Sequence, residues 1–309
     1  MTDASNASMV SASVAPARPG PEPDSSRESA LEVEHLKKVF GLRAETRLRR
    51  THAGGFTAVD DVSFRVAQGR SLAIVGESGS GKTTVARMVV GLERPTAGRI
   101  AVGGRERSWG RVRSSERKRR GREVQIVFQD PYASLDPRQT VRKCLEEALV
   151  LHFNLEKEQR AERVERLLDQ VGLDRRHAGS LPRRLSGGQR QRVAIARALA
   201  CEPRVVICDE AVASLDVSIQ AQVLNLMSDI RETTDVSYLF ISHDMAVVRQ
   251  VSDDIVVMRR GRIVEQGPAD QVLDDPRHPY TRRLLAAIPR PGWHPTPSDD
   301  GDDLADDRD

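Results

Sequence analysis

The fold of this 309-residue chain is decided by one short stretch, Gly76-Glu77-Ser78-Gly79-Ser80-Gly81-Lys82-Thr83. An apolar run at 72–75 precedes it, and a run at 83–90 with helical character follows it. The glycines let the backbone turn tightly, so that successive N–H groups face one anion, and the following helix adds its N-terminal dipole. This is the pattern of a phosphate-binding loop between a strand and a helix. In such a loop Lys82 neutralises phosphate oxygens, and Thr83 offers its hydroxyl to Mg²⁺.

Outward from this loop, short apolar runs alternate with amphipathic helical stretches. The alternation predicts an α/β fold with a largely parallel sheet. Apolar positions between 138 and 178 recur instead at helical spacing, which predicts a helical insert. The predicted strands lie at 71–75, 124–128, 204–208, 237–241 and 255–258, with two earlier strands at 31–39 and 58–66 flanking a loop at 41–55.

Composition excludes several classes of protein. No run approaches the roughly 18 apolar residues that cross a bilayer, and the N-terminus lacks the apolar core of a signal peptide. We therefore expect a soluble, cytoplasmic chain. The three cysteines, Cys144, Cys201 and Cys208, are odd in number and widely spaced. That arrangement argues against a disulfide framework and against a zinc or iron–sulfur cluster.

The net charge of +3, from 48 Lys and Arg against 45 Asp and Glu, conceals a strong segregation. Residues 295–309 carry a net charge of −6, and residues 105–122 carry +7. A basic stripe can bind nucleic acid, but the stripe contains one aromatic residue, Trp109, so base stacking finds little support. We expect a solvated Arg-rich insertion, with anionic lipid headgroups as the alternative ligand.

Two acidic residues follow the predicted strand at 204–208. The apolar run is followed by Asp209 and Glu210. A buried strand that delivers an Asp to its C-terminal end suits the Mg²⁺ shell of a phosphate-binding loop, and Glu210 would then polarise the attacking water. The alternative is a core strand that ends in two solvated acids. The presence of a phosphate loop in the same chain favours the Mg²⁺ site over this alternative.

The run Leu185-Ser186-Gly187-Gly188-Gln189 resembles the signature motif of ABC-type ATPases. The resemblance covers roughly residues 31–290, with Gln129, Ser214-Leu215-Asp216 and His243 in the family's order. It implies a P-loop NTPase (RecA-like) core with an antiparallel β subdomain, a helical signature subdomain and a short C-terminal extension.

The same resemblance assigns roles to single residues. Ser186 and the signature glycines would contact the ATP held by the opposite subunit, and Asp216 would lie at the dimer seam. Phe40 is similar in position to the aromatic residue that stacks on adenine, although a core Phe is the open alternative. The implied ATP-binding set is Phe40, Gly76, Glu77, Ser78, Gly79, Ser80, Gly81, Lys82, Thr83 and Thr84; the catalytic set is Glu210, His243 and Gln129; the Mg²⁺ set is Thr83, Gln129 and Asp209.

Three further segments resemble the ATPases of oligopeptide and dipeptide permeases, particularly the second of their paired ATPases. They lie at 128–138, 208–223 and 278–282. The resemblance implies an ATP-hydrolysing importer subunit on the cytoplasmic face of the membrane. Its implied partners are two membrane-spanning permease subunits, a second ATP-binding subunit that is homologous or identical, and an extracytoplasmic solute-binding protein. The alternatives are an importer of another solute, such as nickel complexes, and a soluble ABC ATPase acting on nucleic acid or ribosomes.

These patterns divide the chain into four parts. Residues 1–28 are rich in Ser, Ala, Pro and Asp, and we expect them to be disordered because they cannot bury enough apolar surface. The ATP-binding domain is expected at 29–265, with its helical subdomain at about 130–203. A C-terminal extension of the peptide-permease type follows at 266–290, and an acidic, disordered tail at 291–309.

Overall fold

The computed structural model describes residues 28–41, 55–130 and 134–287. The expectations for 1–27, for 288–309 and for most of the loop at 41–55 lie outside this range, as do residues 131–133. The strands are β1 (Ser29–Phe40), β2 (Phe56–Ala67), β3 (Ser71–Val75), β4 (Ala97–Val102), β5 (Arg105–Glu106), β6 (Val124–Phe128), β7 (Val205–Asp209), β8 (Ser237–Ile241), β9 (Asp254–Arg259) and β10 (Arg262–Pro268). The helices are α1 (Lys82–Val90), α2 (Ser114–Glu123), α3 (Val141–His152), α4 (Lys157–Gln170), α5 (Gly187–Leu199), α6 (Val217–Thr233), α7 (Met245–Val251), α8 (Ala269–Asp274) and α9 (Pro279–Ala286).

The central sheet has six strands in the order β10-β9-β3-β8-β7-β6. The five strands from β9 to β6 run parallel, and β10 adds an antiparallel edge. Every residue of β3, β7 and β8 is buried, which is why these strands read as continuous apolar runs in the sequence. The predicted α/β fold with a largely parallel sheet is confirmed.

A second sheet of four antiparallel strands, in the order β2-β1-β4-β5, packs beside the first. The two early predicted strands are therefore partners in this sheet, where β1 pairs with β2 in an irregular register. Helix α1 lies between the sheets. Its apolar residues Val85, Met88 and Val89 are fully buried in one core with Leu36 and Ile100 of the antiparallel sheet.

The central sheet separates two hydrophobic cores. Alternate residues of a strand point to opposite faces, so Leu72 and Ile74 join the core around α1, whereas Ala73 and Val75 join the core on the other face. That second core also contains the apolar faces of α3, α4 and α5. The predicted helical insert is present, and its apolar stripe is buried as the spacing requires.

The basic stripe is exposed or half-buried, as expected of a solvated insertion, except at Arg107. Its C-terminal half forms the helix α2, in which Glu116 is bonded to both Arg119 and Arg120. These bonds lower the pKa of Glu116 to about 2. Arg107 is 4% exposed, and its Nη1 donates to the carbonyl oxygen of Val89 at 2.5 Å. The pairs of Glu116 are thus internal to α2, whereas Arg107 attaches the stripe to the body of the protein.

Within the described residues, no helix is both long enough and apolar enough to cross a membrane.

Candidate active site

Four parallel strands bring the predicted site residues to one edge of the central sheet. In the register of the sheet, Phe128 lies opposite Asp209, and Asp209 lies opposite Ile241. Strands β3, β6, β7 and β8 therefore end together, and the chain leaves each of them at this carboxyl edge. The residues that follow are the phosphate loop, Gln129, Glu210 and His243. The carboxyl edge of a parallel sheet is where α/β proteins bind their ligands.

The backbone of the phosphate loop requires glycine at two positions. Gly76 has φ 148° and Gly81 has φ 104°. A Cβ at Gly76 would overlap the carbonyl oxygen of Met258, and one at Gly81 would overlap that of Ala58. The loop is thus pressed against β9 and β2, and any side chain at these positions would force it open.

Lys82 lies inside this loop. Its side chain is buried, and Nζ donates to the carbonyl oxygens of Gly76 and Glu77 at 2.7 Å each. Burial lowers the pKa of the ammonium, and the charges of Glu210, Asp209 and Glu77 oppose that shift. The ammonium is therefore held at the centre of the loop, where phosphate oxygens can exchange for the two carbonyls.

Asp209 is the last residue of β7 and is 9% exposed. Thr83 Oγ1 donates to its Oδ1 at 3.3 Å. Burial raises the pKa of this carboxyl above its usual value, and the bond from Thr83 opposes the shift. A hydroxyl and a carboxylate side by side are hard oxygen ligands of the kind Mg²⁺ takes. Among the described residues, no group of three or more Asp, Glu, His or Cys side chains is placed to hold a metal ion.

Glu210 has a strained backbone. Its φ is 51°, and its N–H donates to the carbonyl oxygen of Ile241 at 2.9 Å, which fixes the turn. Left-handed geometry is uncommon for glutamate, and such residues concentrate at functional sites. The turn directs Oε1 to within 3.2 Å of Nδ1 of His243. The two proposed catalytic side chains thus lie in direct contact.

The signature residues form the start of α5. The Ser186 hydroxyl accepts from the N–H of Gln189 at 3.2 Å, and the Gln189 side chain accepts from the N–H of Ser186 at 2.9 Å. This reciprocal cap starts the helix at Gly187. Gly188 is buried against Ile219, and Leu185 is 3% exposed. The signature is therefore a rigid helix N-terminus packed on the beginning of α6.

Asp216 and Gln129 both lie close to the beginning of α6, and Gln129 connects this region to the sheet edge. Asp216 caps α6 by accepting from the N–H of Ile219 at 3.0 Å, and this bond lowers the pKa of its carboxyl. The carbonyl oxygen of Gln129 accepts from Oγ of Ser214 at 3.3 Å. Phe40, by contrast, ends β1 in the antiparallel sheet, where it is 39% exposed and Lys38 Nζ lies 4.7 Å from its ring centroid.

One contact of the phosphate loop is not predicted by any local sequence pattern. The N–H of Glu77 donates to the hydroxyl of Tyr280, 203 residues away in α9, at 3.1 Å. The sequence places Tyr280 in the C-terminal extension and gives no sign that the extension reaches the loop.

The comparisons with known proteins agree with this geometry. A family model described as "ABC transporter" matches residues 59–213, and one described as "Oligopeptide/dipeptide transporter, C-terminal region" matches residues 264–302. The oligopeptide transport ATP-binding protein OppF of Bacillus subtilis is 45% identical over 265 residues, which are 85% of this chain and 84% of that protein. The chain belongs to the ABC transporter family of ATP-binding proteins.

A further relative and two solved structures support the same assignment to the ABC ATPases. The dipeptide transport ATP-binding protein DppF of Escherichia coli is 48% identical over 268 residues, covering 85% of this chain and 78% of the relative. Among solved structures, cbiO1 from Clostridium perfringens, part of an ABC transporter complex, is similar with a TM-score of 0.70 at 25% identity, covering 86% of this chain and 98% of that one. The ATP-binding cassette MJ0796, dimeric and bound to ADP and Pi, is similar with a TM-score of 0.65 at 25% identity, over 77% and 98% of the two chains. The fold of this chain is that of an ABC ATPase.

Proposed function

We propose that this ABC ATPase binds and hydrolyses ATP to drive the import of oligopeptides or dipeptides through separate membrane subunits. One observation carries the ATPase part: neighbouring strands end at one carboxyl edge, where Asp209 is the last residue of β7 and the phosphate loop, Glu210 and His243 follow their strands. There Thr83 is bonded to Asp209, and Glu210 is bonded to His243. The peptide part rests on the relatives, which are named for oligopeptide and dipeptide transport.

In the proposed reaction, the loop residues Gly76 to Thr84 hold the phosphates of ATP, with Lys82 as the cation among them. Thr83 and Asp209, together with Gln129, would hold Mg²⁺. When bound, Mg²⁺ supplies charge neutralisation at the β- and γ-phosphate oxygens. Phe40 would stack on the adenine.

Glu210 would accept a proton from the water that attacks the γ-phosphate. Its side chain is 26% exposed, so water reaches the carboxylate while the surrounding protein fixes its direction. His243 bonds to the same carboxylate and would donate to the γ-phosphate. Hydrolysis then breaks the bond between the γ-phosphorus and the bridging oxygen, and it yields ADP and phosphate.

The signature would complete the site of a second subunit. Ser186, Gly187 and Gly188 start a helix of 13 residues, and the N–H groups of a helix N-terminus attract an anion. We place this surface against the ATP of the opposite ATP-binding subunit, homologous or identical, with Asp216 at the seam between them. We also place the chain at the cytoplasmic face of the membrane, with two permease subunits and an extracytoplasmic solute-binding protein as partners.

The division of the chain stays as proposed above: the ATP-binding domain at 29–265, its helical subdomain at about 130–203, the extension at 266–290 and the tail at 291–309. In this division the sheet edge and the signature lie in one domain, whereas Tyr280 lies in the extension.

The experiment that tests the ATPase proposal is the substitution Lys82→Ala, with Lys157→Ala as its matched control. Lys157 is an exposed lysine at the start of α4. We expect the first variant to lose ATP binding and the control to keep it. Unchanged ATP affinity in Lys82→Ala would disprove the proposed site.

A second experiment separates import from the alternative of a soluble ATPase acting on nucleic acid. The full chain, expressed with an affinity tag, should be purified from detergent-solubilised membranes, and the proteins bound to it identified. Recovery with membrane proteins, and loss of labelled-peptide uptake in cells that lack the chain, are the expected results. Recovery with RNA or DNA would favour the alternative.

A further inference from the structure

The C-terminal extension reaches the phosphate loop through one hydroxyl group. Tyr280 lies in the first turn of α9 and is 3% exposed. Its Oη accepts a hydrogen bond from the backbone N–H of Glu77 at 3.1 Å. A partly buried N–H in a phosphate-binding loop is thus satisfied by a side chain from outside the ATP-binding domain.

The tyrosine is held firmly in this position. Arg259 lies over its ring, 5.2 Å from the centroid, and the N–H of Tyr280 donates to Nδ1 of His278 at 3.1 Å. The carboxylate of Glu265, on β10, accepts from the N–H of Arg277 at 2.8 Å and from that of His278 at 3.1 Å. The hydroxyl is therefore fixed relative to β9 and β10, which belong to the same sheet as the loop.

Tyr280 and Lys82 both bind the backbone around Glu77, Tyr280 as an acceptor and Lys82 as a donor. Lys82 Nζ donates to the carbonyl oxygens of Gly76 and Glu77, so it holds both peptide groups that flank the Cα of Glu77, and Tyr280 holds the N–H of the first of them. When the ammonium of Lys82 turns to phosphate oxygens, its hold on these carbonyl oxygens weakens. The bond to Tyr280 is made by the N–H of the peptide group between Gly76 and Glu77, so it can persist when the ammonium leaves the carbonyl oxygen of that group.

The extension is attached to the loop at a defined point and not along a continuous packed surface. A cavity of about 390 Å³ lies between them, lined by Ser78, Gly79, Arg260, Arg283 and their neighbours. Packing across this boundary is therefore incomplete, and the hydroxyl of Tyr280 is a defined point of attachment.

We propose that Tyr280 is a positioning residue for ATP binding. It holds the peptide group before Glu77 in the orientation that the phosphate loop needs, and in this way it couples the C-terminal extension to the occupancy of the ATP site. The proposal rests on the proposed function of the loop. Because coupling between two sites is reciprocal, ATP in the loop should also stabilise the docked extension.

The test is Tyr280→Phe in the full chain, with Tyr238→Phe as the matched control. Both tyrosines are buried, but no hydrogen-bond partner of the Tyr238 hydroxyl is found among the described residues. Each variant loses one hydroxyl and keeps its ring. We expect Tyr280→Phe to raise Kd and KM for ATP about 3- to 10-fold, the size of one lost hydrogen bond, with kcat changed by less than about twofold. The control should match the wild type.

Two further measurements separate positioning from a merely structural role. In hydrogen exchange, ATP should slow the amides of 280–286 in the wild type and should have little effect on them in Tyr280→Phe. If Tyr280→Phe lowers the Tm of the nucleotide-free protein but leaves KM and Kd at the values of the control, the proposal is wrong. It is equally wrong if ATP does not protect the amides of 280–286 in the wild type. Lys82→Ala distinguishes the two proposals, since intact ATP binding in that variant would instead remove the function on which this inference rests.

Discussion

The substitution Glu210→Gln tests the proposed general base with little disturbance of the structure. Glutamine has nearly the same shape, and its carbonyl oxygen can still accept a hydrogen bond from His243, which lies 3.2 Å from Oε1. The backbone bond from Glu210 to Ile241 and the left-handed φ of 51° involve no side-chain charge and should persist. What the variant loses is the basicity of the carboxylate.

Loss of a general base lowers turnover by about 10²- to 10⁴-fold, which corresponds to a barrier higher by about 2.7 to 5.4 kcal/mol. We expect that loss in phosphate release at saturating ATP and Mg²⁺. The Kd for ATP should stay within about threefold of the wild type, because Glu210 follows β7 and makes no hydrogen bond to the phosphate loop among the described residues.

Glu202→Gln is a closely matched control for this variant. Glu202 also has a left-handed backbone, with φ 50°, and it pairs at the surface with Arg122 and Arg163. Its substitution should leave turnover unchanged. The reasoning fails if Glu210→Gln keeps turnover within about threefold of the wild type, or if the control loses as much activity.

Three further outcomes are expected in denaturant unfolding of the nucleotide-free protein. Asp209→Asn should raise the free energy of unfolding by about 0.5 to 2 kcal/mol while it impairs hydrolysis. Burial raises the pKa of Asp209 in the folded state, so the stability that this carboxyl contributes is lost as pH rises above 3.8 through the raised pKa; the gain of the asparagine variant over the wild type should therefore grow over that range, and an equal pH dependence of the two proteins would contradict this. Gly188→Ala should lower the free energy of unfolding by about 1 to 3 kcal/mol, because its Cβ would overlap Ile219, whereas Gly187→Ala has ordinary contact distances and should not. Arg107→Met should raise the free energy of unfolding by about 1 kcal/mol, because burial of the guanidinium leaves its Nε and Nη2 without partners among the described residues; a clear loss of stability would show that those atoms are satisfied.

The features that the sequence predicts correctly depend on local pattern. The buried strands β3, β7 and β8 are continuous apolar runs, and the phosphate loop between β3 and α1 needs its residue types in fixed order. Since parallel strands that pair in register end together, the meeting of Asp209 and His243 at one edge also follows from the predicted strand ends.

The features that escape prediction depend on tertiary neighbours. Tyr280 contacts Glu77 from 203 residues away in the sequence, and nothing near either residue marks the contact. Glu210 adopts φ 51° although its residue type does not favour it, because its N–H bonds to β8. Arg107 reads as part of a solvated stripe, yet it is buried against the carbonyl of Val89.

The alternation of side chains along the central sheet has a consequence for how this molecule can vary. Ile74 shares its interior with Val85 and Met88 of the helix that follows the phosphate loop, while its neighbour Ala73 shares the other interior with Leu145. A change of volume at Ile74 can be compensated by residues on its own face of the sheet, and residues on the opposite face do not touch it. The two interiors can therefore drift independently during evolution, or be redesigned one at a time, while the strand ends that carry the chemistry keep their places.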